Sequence, residues 1–333
     1  MKMSQPLRTD YPEGHGSFVT RRFRNSELLY KNNSPLEKRV LGSFGKYVHK
    51  FEAKVFALTL FGSHDHPFME FKPGTKSSFF RDFGARTAEA VKKFVPGYGT
   101  GGVFESRPRE QAVTPDHASH LDRLMYTIMQ PILAGFCKNL SDYNGFNSFQ
   151  YILSGKPLKV EFFRGSDYTR AKLRNKNANP KDYTEYYDIY FARIPGCEHM
   201  SQKEYRAYLL DAYEERRKRI IAEFDAKGHV WLDEVKPKPE KPKGSSSAKS
   251  VLEDDENETE TPRDKAKNPK RSERYSKRPL VLSVCSLARE EFLNWYFTIL
   301  TRYKKASRAY LDGDPLAPFP PGTIKPPGPY VAA

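Results

Sequence analysis

The chain lacks what several protein classes require. Its 333 residues hold only three cysteines, Cys137, Cys197 and Cys285, each far from the others, which excludes a disulfide framework, a zinc cluster of paired cysteines and a Cys-x-x-Cys redox motif. Cys197-Glu198-His199 is the nearest approach to a metal fragment, and no second pair accompanies it. Reduced, scattered thiols fit a cytosolic setting. No apolar run of roughly 18 residues is present, and the opening MKMSQPLRTDYPEGHG has no apolar centre like that of a signal peptide, so the expectation is a soluble, cytoplasmic chain with no membrane span. Acidic residues are also short, 41 against 56 Lys plus Arg, leaving a net charge of +15. Such a surplus favours a polyanionic partner such as nucleic acid, with an anionic membrane surface as the competing reading.

Aromatic residues, by contrast, are abundant. The 20 Tyr and 23 Phe supply enough bulk for a core in spite of the polar average, and the length suggests about two domains. Ser17 to Phe23 reads as a strand. Pro35 to Lys50 reads as a helix, with Leu36, Val40, Leu41, Phe44, Tyr47 and Val48 on one face and Ser34 as its cap. A strand Lys54 to Phe61, the turn GSHD and a strand from about His66 to Phe71 make an antiparallel hairpin. A helix from about Ser78 to Phe94 follows, then a strand within Val103 to Val113, then a helix opened by Pro115-Asp116 and stopped or kinked by Pro131. The order β, α, β, β, α, β, α is the split βαβ pattern of an α+β fold, a ferredoxin-like four-stranded antiparallel sheet with helices on one face and its other face open for a ligand.

Four segments are expected: 1–155 as this first domain, 156–235 as a helical extension, 236–278 as a disordered linker with charge blocks of opposite sign, and 279–333 as a strand-helix segment with a Pro-rich tail. Within the extension, TEYYDIYFARIPG reads as a strand and Ser201 to Phe224 as a long amphipathic helix. The basic runs ERRKR, 215–219, and KNPKRSERYSKR, in the linker, read equally as DNA clamps and as solvated charge. Only the linker run leans towards DNA, because a flexible segment needs no fixed geometry.

In GSHDHPFMEF, residues 62–71, His64 and His66 stand two apart, so in a strand both imidazoles aim to one side. The pair reads as two surface or hydrogen-bonded histidines, or as two of the ligands of a divalent ion that needs a third from elsewhere. The later helix places Tyr126 and Gln130 on one face at i and i+4, a phenol able to act as nucleophile and a carbonyl oxygen suited to Mg²⁺ or Mn²⁺. Each has a structural alternative, a core aromatic and a helix-end glutamine. Glu70 shares the histidine side of its strand and is a further candidate ligand or base. Phosphate contacts would come from Arg21, Arg22 and Arg24 at the first strand, Arg81 and Arg86 on the second helix, and Arg107 and Arg109 near the fourth strand, with Phe104 a candidate to stack on an unpaired base.

The segments ALTLFGSHDHPFMEF, SSFFRDFGARTAEAVKKF, GGVFESRPREQAV and HLDRLMYTIMQPILAGF together resemble the single-tyrosine HUH transposases, especially the REP-associated tyrosine transposases. The likeness covers about residues 15 to 155, with a looser one through the C-terminal region that suggests an extended subgroup. The resemblance implies a DNA transposase, a single-stranded DNA endonuclease and strand transferase. His64, His66 and Gln130 would hold Mg²⁺ or Mn²⁺, and Tyr126 would form a 5′-phosphotyrosine at a site beside a DNA hairpin. It further implies single-stranded and hairpin DNA as partners, nucleoid association through DNA, and a monomer in preference to a dimer. A catalytically silent nucleic-acid-binding protein on the same fold is the alternative. Two positions depart from the family pattern: Asp65 stands where the family has an apolar residue, and a carboxylate there needs a partner if buried, while Gln130 stands where the family has Asn before Pro, which keeps the carbonyl ligand but lengthens its reach.

Overall fold

The structure is a computed structural model that describes residues 7–98, 101–105, 108–231 and 279–328; Arg107, the linker 236–278 with its basic run, and the last residues of the Pro-rich tail lie outside the described residues. It is a mixed α+β structure built on a mainly antiparallel sheet. The apolar run Lys54–Phe61 forms β2, turns at Gly62 and Ser63, and returns as β3, His64–Glu70. The turn is two residues shorter than the four-residue GSHD expected, so both histidines lie inside the strand. β1, Gly16–Arg22, pairs with β3 on one side and with β4, Arg109–Val113, on the other.

The sheet differs from the expected four strands. A fifth, β7 at Leu280–Leu282, adds in parallel to β4, giving the order β2-β3-β1-β4-β7. Both faces are also covered, where one open face was expected. α1 (Ser34–Phe51) and α2 (Lys76–Phe94) bury Phe44, Phe79 and Phe83 against Leu58, Leu60 and Met69. On the opposite face α3 (His117–Ile128) sets Leu124, Met125 and Ile128 over Phe18, Phe56 and Phe68, and α7 (Gln202–Ala226) adds Tyr205, Leu209 and Tyr213. A run as continuously apolar as VFALTLF has side chains for two cores, which is the composition of a strand covered on both faces.

The segment 156–235 is not purely helical. β5 (Leu158–Phe163) and β6 (Thr184–Ile189) form a separate antiparallel ribbon pressed on the outer side of α1. Two glycines permit that approach: a Cβ on Gly42 would lie 1.9 Å from the Glu161 carbonyl oxygen, and one on Gly45 would lie 2.4 Å from Val160. α4 (Gln130–Leu133) and α5 (Phe149–Ser154) join α3 to this ribbon, and α6 (Gly165–Arg174) lies between its strands. α8 (Ser286–Leu311) closes the sheet end, packing Phe292, Tyr296 and Tyr303 with Leu7 and Ala112. No described helix is long and apolar enough to cross a membrane.

The caps explain the helix boundaries. α1 is capped by Asn33, not the expected Ser34; the Asn33 side chain accepts from the Leu36 amide at 3.2 Å, with proline following in the first turn. α7 starts with a complete capping box between Ser201 and Glu204.

Candidate functional site

The strand register assembles the site. Arg22 lies opposite His64 and Arg21 opposite Asp65 on β1, while β2 sets Phe61 opposite His64 and Thr59 opposite His66. Cross-strand partners share a face, so Thr20 and Thr59 flank His66 on the side that α3 covers. The two imidazoles meet edge to face with centroids 4.5 Å apart, and Phe18 stacks on His66 at 5.2 Å. Tyr126 reaches the same cluster from α3, its ring 6.4 Å from His66 and 5.5 Å from Phe18. The structure therefore brings three of the four sequence-chosen residues, His64, His66 and Tyr126, into one ring cluster.

α3 is held there by the backbone at its C-terminal end. The Thr59 hydroxyl donates to the Thr127 carbonyl at 2.8 Å, and Asn147 donates to both the Ile128 carbonyl and the Thr59 hydroxyl. These bonds flank Tyr126 and tie its helix to the strand beside His66. Gln130, the fourth chosen residue, is buried one turn further on, where its Nε2 donates to the Tyr126 carbonyl at 3.2 Å. Among the described residues it has no hydrogen bond to either histidine.

Each histidine has a hydroxyl beside Nδ1, Ser63 at 2.9 Å for His64 and Thr20 at 3.2 Å for His66. In the tautomer where Nδ1–H donates to that hydroxyl, the free lone pair is on Nε2. His66 Nε2 is buried and has no hydrogen-bond partner. Burial, with the charge of nearby Arg22, pushes the His64 imidazolium down to about 3. His66 is driven well below the ordinary histidine range by burial first, then by His64, Arg123 and Arg22. Both rings are neutral near pH 7, the state in which imidazole donates to a cation. A buried, unpartnered Nε2 beside a second neutral imidazole supplies two donors of the kind a divalent ion takes, with further positions to be filled by other groups. Among the described residues no group of three or more His, Cys, Asp or Glu could hold a metal, so a third protein donor here would be neutral. Glu70 does not supply one: it accepts from the Gly14 amide at 2.9 Å and pairs with Lys54.

Asp65 points to the opposite face and is fully paired. Its carboxylate takes two parallel bonds from Arg21, Nε at 2.8 Å and a terminal nitrogen at 2.6 Å, with both side chains at 1% exposure or less. Tyr30 adds a longer bond at 3.3 Å, and the guanidinium lies 3.8 Å over the Phe83 ring. Arg21 is therefore a core residue and not the phosphate contact expected of it. Arg81 and Arg86 belong to α2, on the face away from the histidines, and pair with Asp82 and Glu89. Arg24 is exposed just beyond the end of β1, near Gly101. Of the six candidate arginines among the described residues, Arg22 and Arg109 share the histidine face, Arg109 through its pairing with Thr20. Phe104 is partly buried and stacks on Phe23 at 5.7 Å as part of the core. In the run ERRKR, Arg216 pairs with Asp122 of α3 and Arg217 donates to the Lys138 carbonyl, which makes both tertiary ties.

Sequence reasoning missed Arg123. Its guanidinium carbon lies 4.5 Å from the ring centres of both Phe18 and Tyr126, wedged between sheet and helix. Its place one turn before Tyr126, at i−3, was the available signal.

Neither a protein-family model nor a curated protein matches the chain. Among solved structures, one of a REP-associated tyrosine transposase bound to a REP hairpin is similar at 18% identity and a TM-score of 0.38, covering 45% of this chain and 86% of that one. A likeness this weak fixes neither the fold nor the activity.

Proposed function

We propose that this chain is a single-tyrosine DNA strand transferase that cuts single-stranded DNA beside a hairpin and acts as a monomer. The observation that carries the reading is the meeting of Tyr126 with two neutral histidines, one of them with a buried, unpartnered Nε2. The sequence motifs around those residues support it, as does the net charge of +15. β1 to β4 in the order 2-3-1-4, with α1 and α2 behind them, are read as a ferredoxin-like core to which α3, α7 and β7 have been added. The long C-terminal region beyond the first domain favours a monomer, with Tyr126 acting beside its own histidines.

In this reading His64, His66 and Gln130 hold Mg²⁺ or Mn²⁺, which when bound neutralises charge on a phosphodiester and so eases attack by an oxyanion. The Tyr126 oxygen bonds to phosphorus and the bond to the 3′ oxygen breaks. The phenol gives up one proton, and the departing 3′ oxygen takes one up, so the exchange is balanced. The phosphodiester energy is kept in the 5′-phosphotyrosine, and attack by another 3′-OH rejoins the strand without ATP. Arg22 and Arg123 add positive charge beside the histidines, and Arg109 adds it further along the same sheet face.

The test incubates a pool of hairpins with single-stranded flanks, labelled on the 3′ side of the cut, with the full chain and Mn²⁺, and separates products on a denaturing protein gel. A labelled covalent band that requires Mn²⁺ and is lost in Tyr126→Phe is the expected result. DNA binding with no covalent band over the whole pool would favour a binding protein instead.

A further inference from the structure

We infer a second nucleic-acid contact on the side of the molecule away from the histidines: the α6 arm, which grips the phosphate backbone of duplex DNA. The strands of the β5–β6 ribbon are joined not by a tight turn but by residues 164–183, containing α6 and a short 3-10 turn at Pro180–Tyr183. None of these residues is buried. A folded excursion with no fully buried residue gains less from the hydrophobic effect than a core element, so its composition answers to something outside the core.

That composition is basic. Arg164, Arg170, Lys172, Arg174, Lys176 and Lys181 stand against Asp167 and Asp182 alone. Of the two acids, Asp167 is used in building the arm, while Asp182 takes part through its backbone carbonyl. Asp167 pairs with Arg164 and Arg170, while the Arg164 guanidinium also reaches the Asp182 carbonyl and Glu185, binding both ends of the excursion to the ribbon. Arg174, Lys176 and Lys181 have no acidic partner among the described residues and are exposed. Leu173, between Lys172 and Arg174, is 84% exposed, so no described part of the chain covers this side of the helix.

Charge complementarity selects the occupant. The arm's aromatic rings are engaged with one another, Phe163 with Tyr168 and Tyr168 with Tyr183, and do not form a platform for unpaired bases. What faces outward is cationic, which suits the regular phosphates of a duplex. The ribbon packs on α1, on the far side of the sheet from His64 and His66, so the arm can hold a duplex segment while the histidine face engages a single strand. Phosphate binding by the arm follows from its own charge; only the pairing of the two surfaces on one DNA rests on the strand-transferase reading.

The test measures affinity of the full chain for a blunt duplex by fluorescence anisotropy over a series of NaCl concentrations. The arm variant is Arg170→Gln, Lys172→Gln, Arg174→Gln and Lys176→Gln. The control removes the same charge elsewhere, Lys218→Gln, Arg219→Gln, Lys304→Gln and Lys305→Gln. Since the slope of log K against log salt changes by about 0.9 for each phosphate that the protein neutralises, the arm variant is expected to be shallower by about 2 to 4 with at least a roughly tenfold weaker affinity, and the control by less than about 1. Equal losses in the two variants, or no loss in the arm variant, would overturn the inference. So would a wild-type preference for vesicles of equal phosphatidylcholine and phosphatidylserine over the duplex. The covalent band is measured in the same proteins: if it is absent throughout while duplex affinity depends on the arm, the strand-transferase reading fails and the arm stands.

Discussion

Asp65 holds Arg21 in a buried ion pair on the sheet face away from the histidines. Alternation along β3 puts its side chain opposite the histidines, which a chain of letters reveals, but its partner depends on the β1–β3 register, which it does not. The register makes Arg21 the cross-strand neighbour, so a residue that looked like a surface cation becomes half of a buried ion pair. Removing one partner leaves the other charge buried and unpaired, at a cost of about 3 to 5 kcal/mol. Asp65→Asn is accordingly expected to lower the urea midpoint strongly, while Arg21→Met with Asp65→Leu recovers most of the loss; a double variant as unstable as the single one would show that the pair does more than fill the core. Thr20 acts on the histidine side, through the contact of its hydroxyl with His66 Nδ1. Losing such an orienting bond weakens metal sites by about 10- to 100-fold, so Thr20→Val should weaken Mn²⁺ binding in calorimetry by that order with little change in stability.

Among the elements, those with a clear period were legible: β2 and the helices α1, α2, α3 and α7 lie within a few residues of where their apolar spacing puts them, and α8 falls within the strand-helix segment expected at 279–333. Three features were not. The strand expected at the start of 279–333 is present as β7, but its parallel place beside β4 is a long-range choice that three residues do not specify. Coverage of both sheet faces was written in the continuous apolar run of β2, but helix-to-sheet assignment cannot be read from that run alone. The tight seat of the β5–β6 ribbon depends on Gly42 and Gly45, which in a helix look like weak points. Gly42→Ala should gain about 1 kcal/mol of helix propensity and still be less stable in urea by about 1 to 3 kcal/mol, because its Cβ meets backbone at Glu161. α1 also carries a pH signature in its first turn. Burial raises Glu37 to about 7, although its carboxylate accepts from the Phe146 amide. A carboxyl raised by folding contributes its full stability below its unfolded pKa, and that contribution is lost as pH rises through about 7. Urea titrations at pH 5 and pH 8 should therefore show Glu37→Gln gaining on the wild type at the higher pH, on the order of 1 to 3 kcal/mol.

For the whole molecule, the sheet separates two kinds of positive charge. Arg22, Arg109 and Arg123 are beside or near the ring cluster, while the α6 arm stands behind α1. The first set was partly legible, since strand alternation assigns residues to a face; the second was not, because nothing in the sequence says that residues 164–183 form an excursion without a core. The central claim concerns one atom, the Tyr126 oxygen. Its most direct test is mass spectrometry of the tryptic peptide Leu124 to Lys138 after incubation of the full chain with Mn²⁺ and cleavable DNA, followed by nuclease trimming. The account expects that peptide to carry the mass of a nucleotide joined by phosphate to Tyr126. Cleaved DNA with an unmodified Leu124 to Lys138 peptide, or with the nucleotide on another residue, would contradict it.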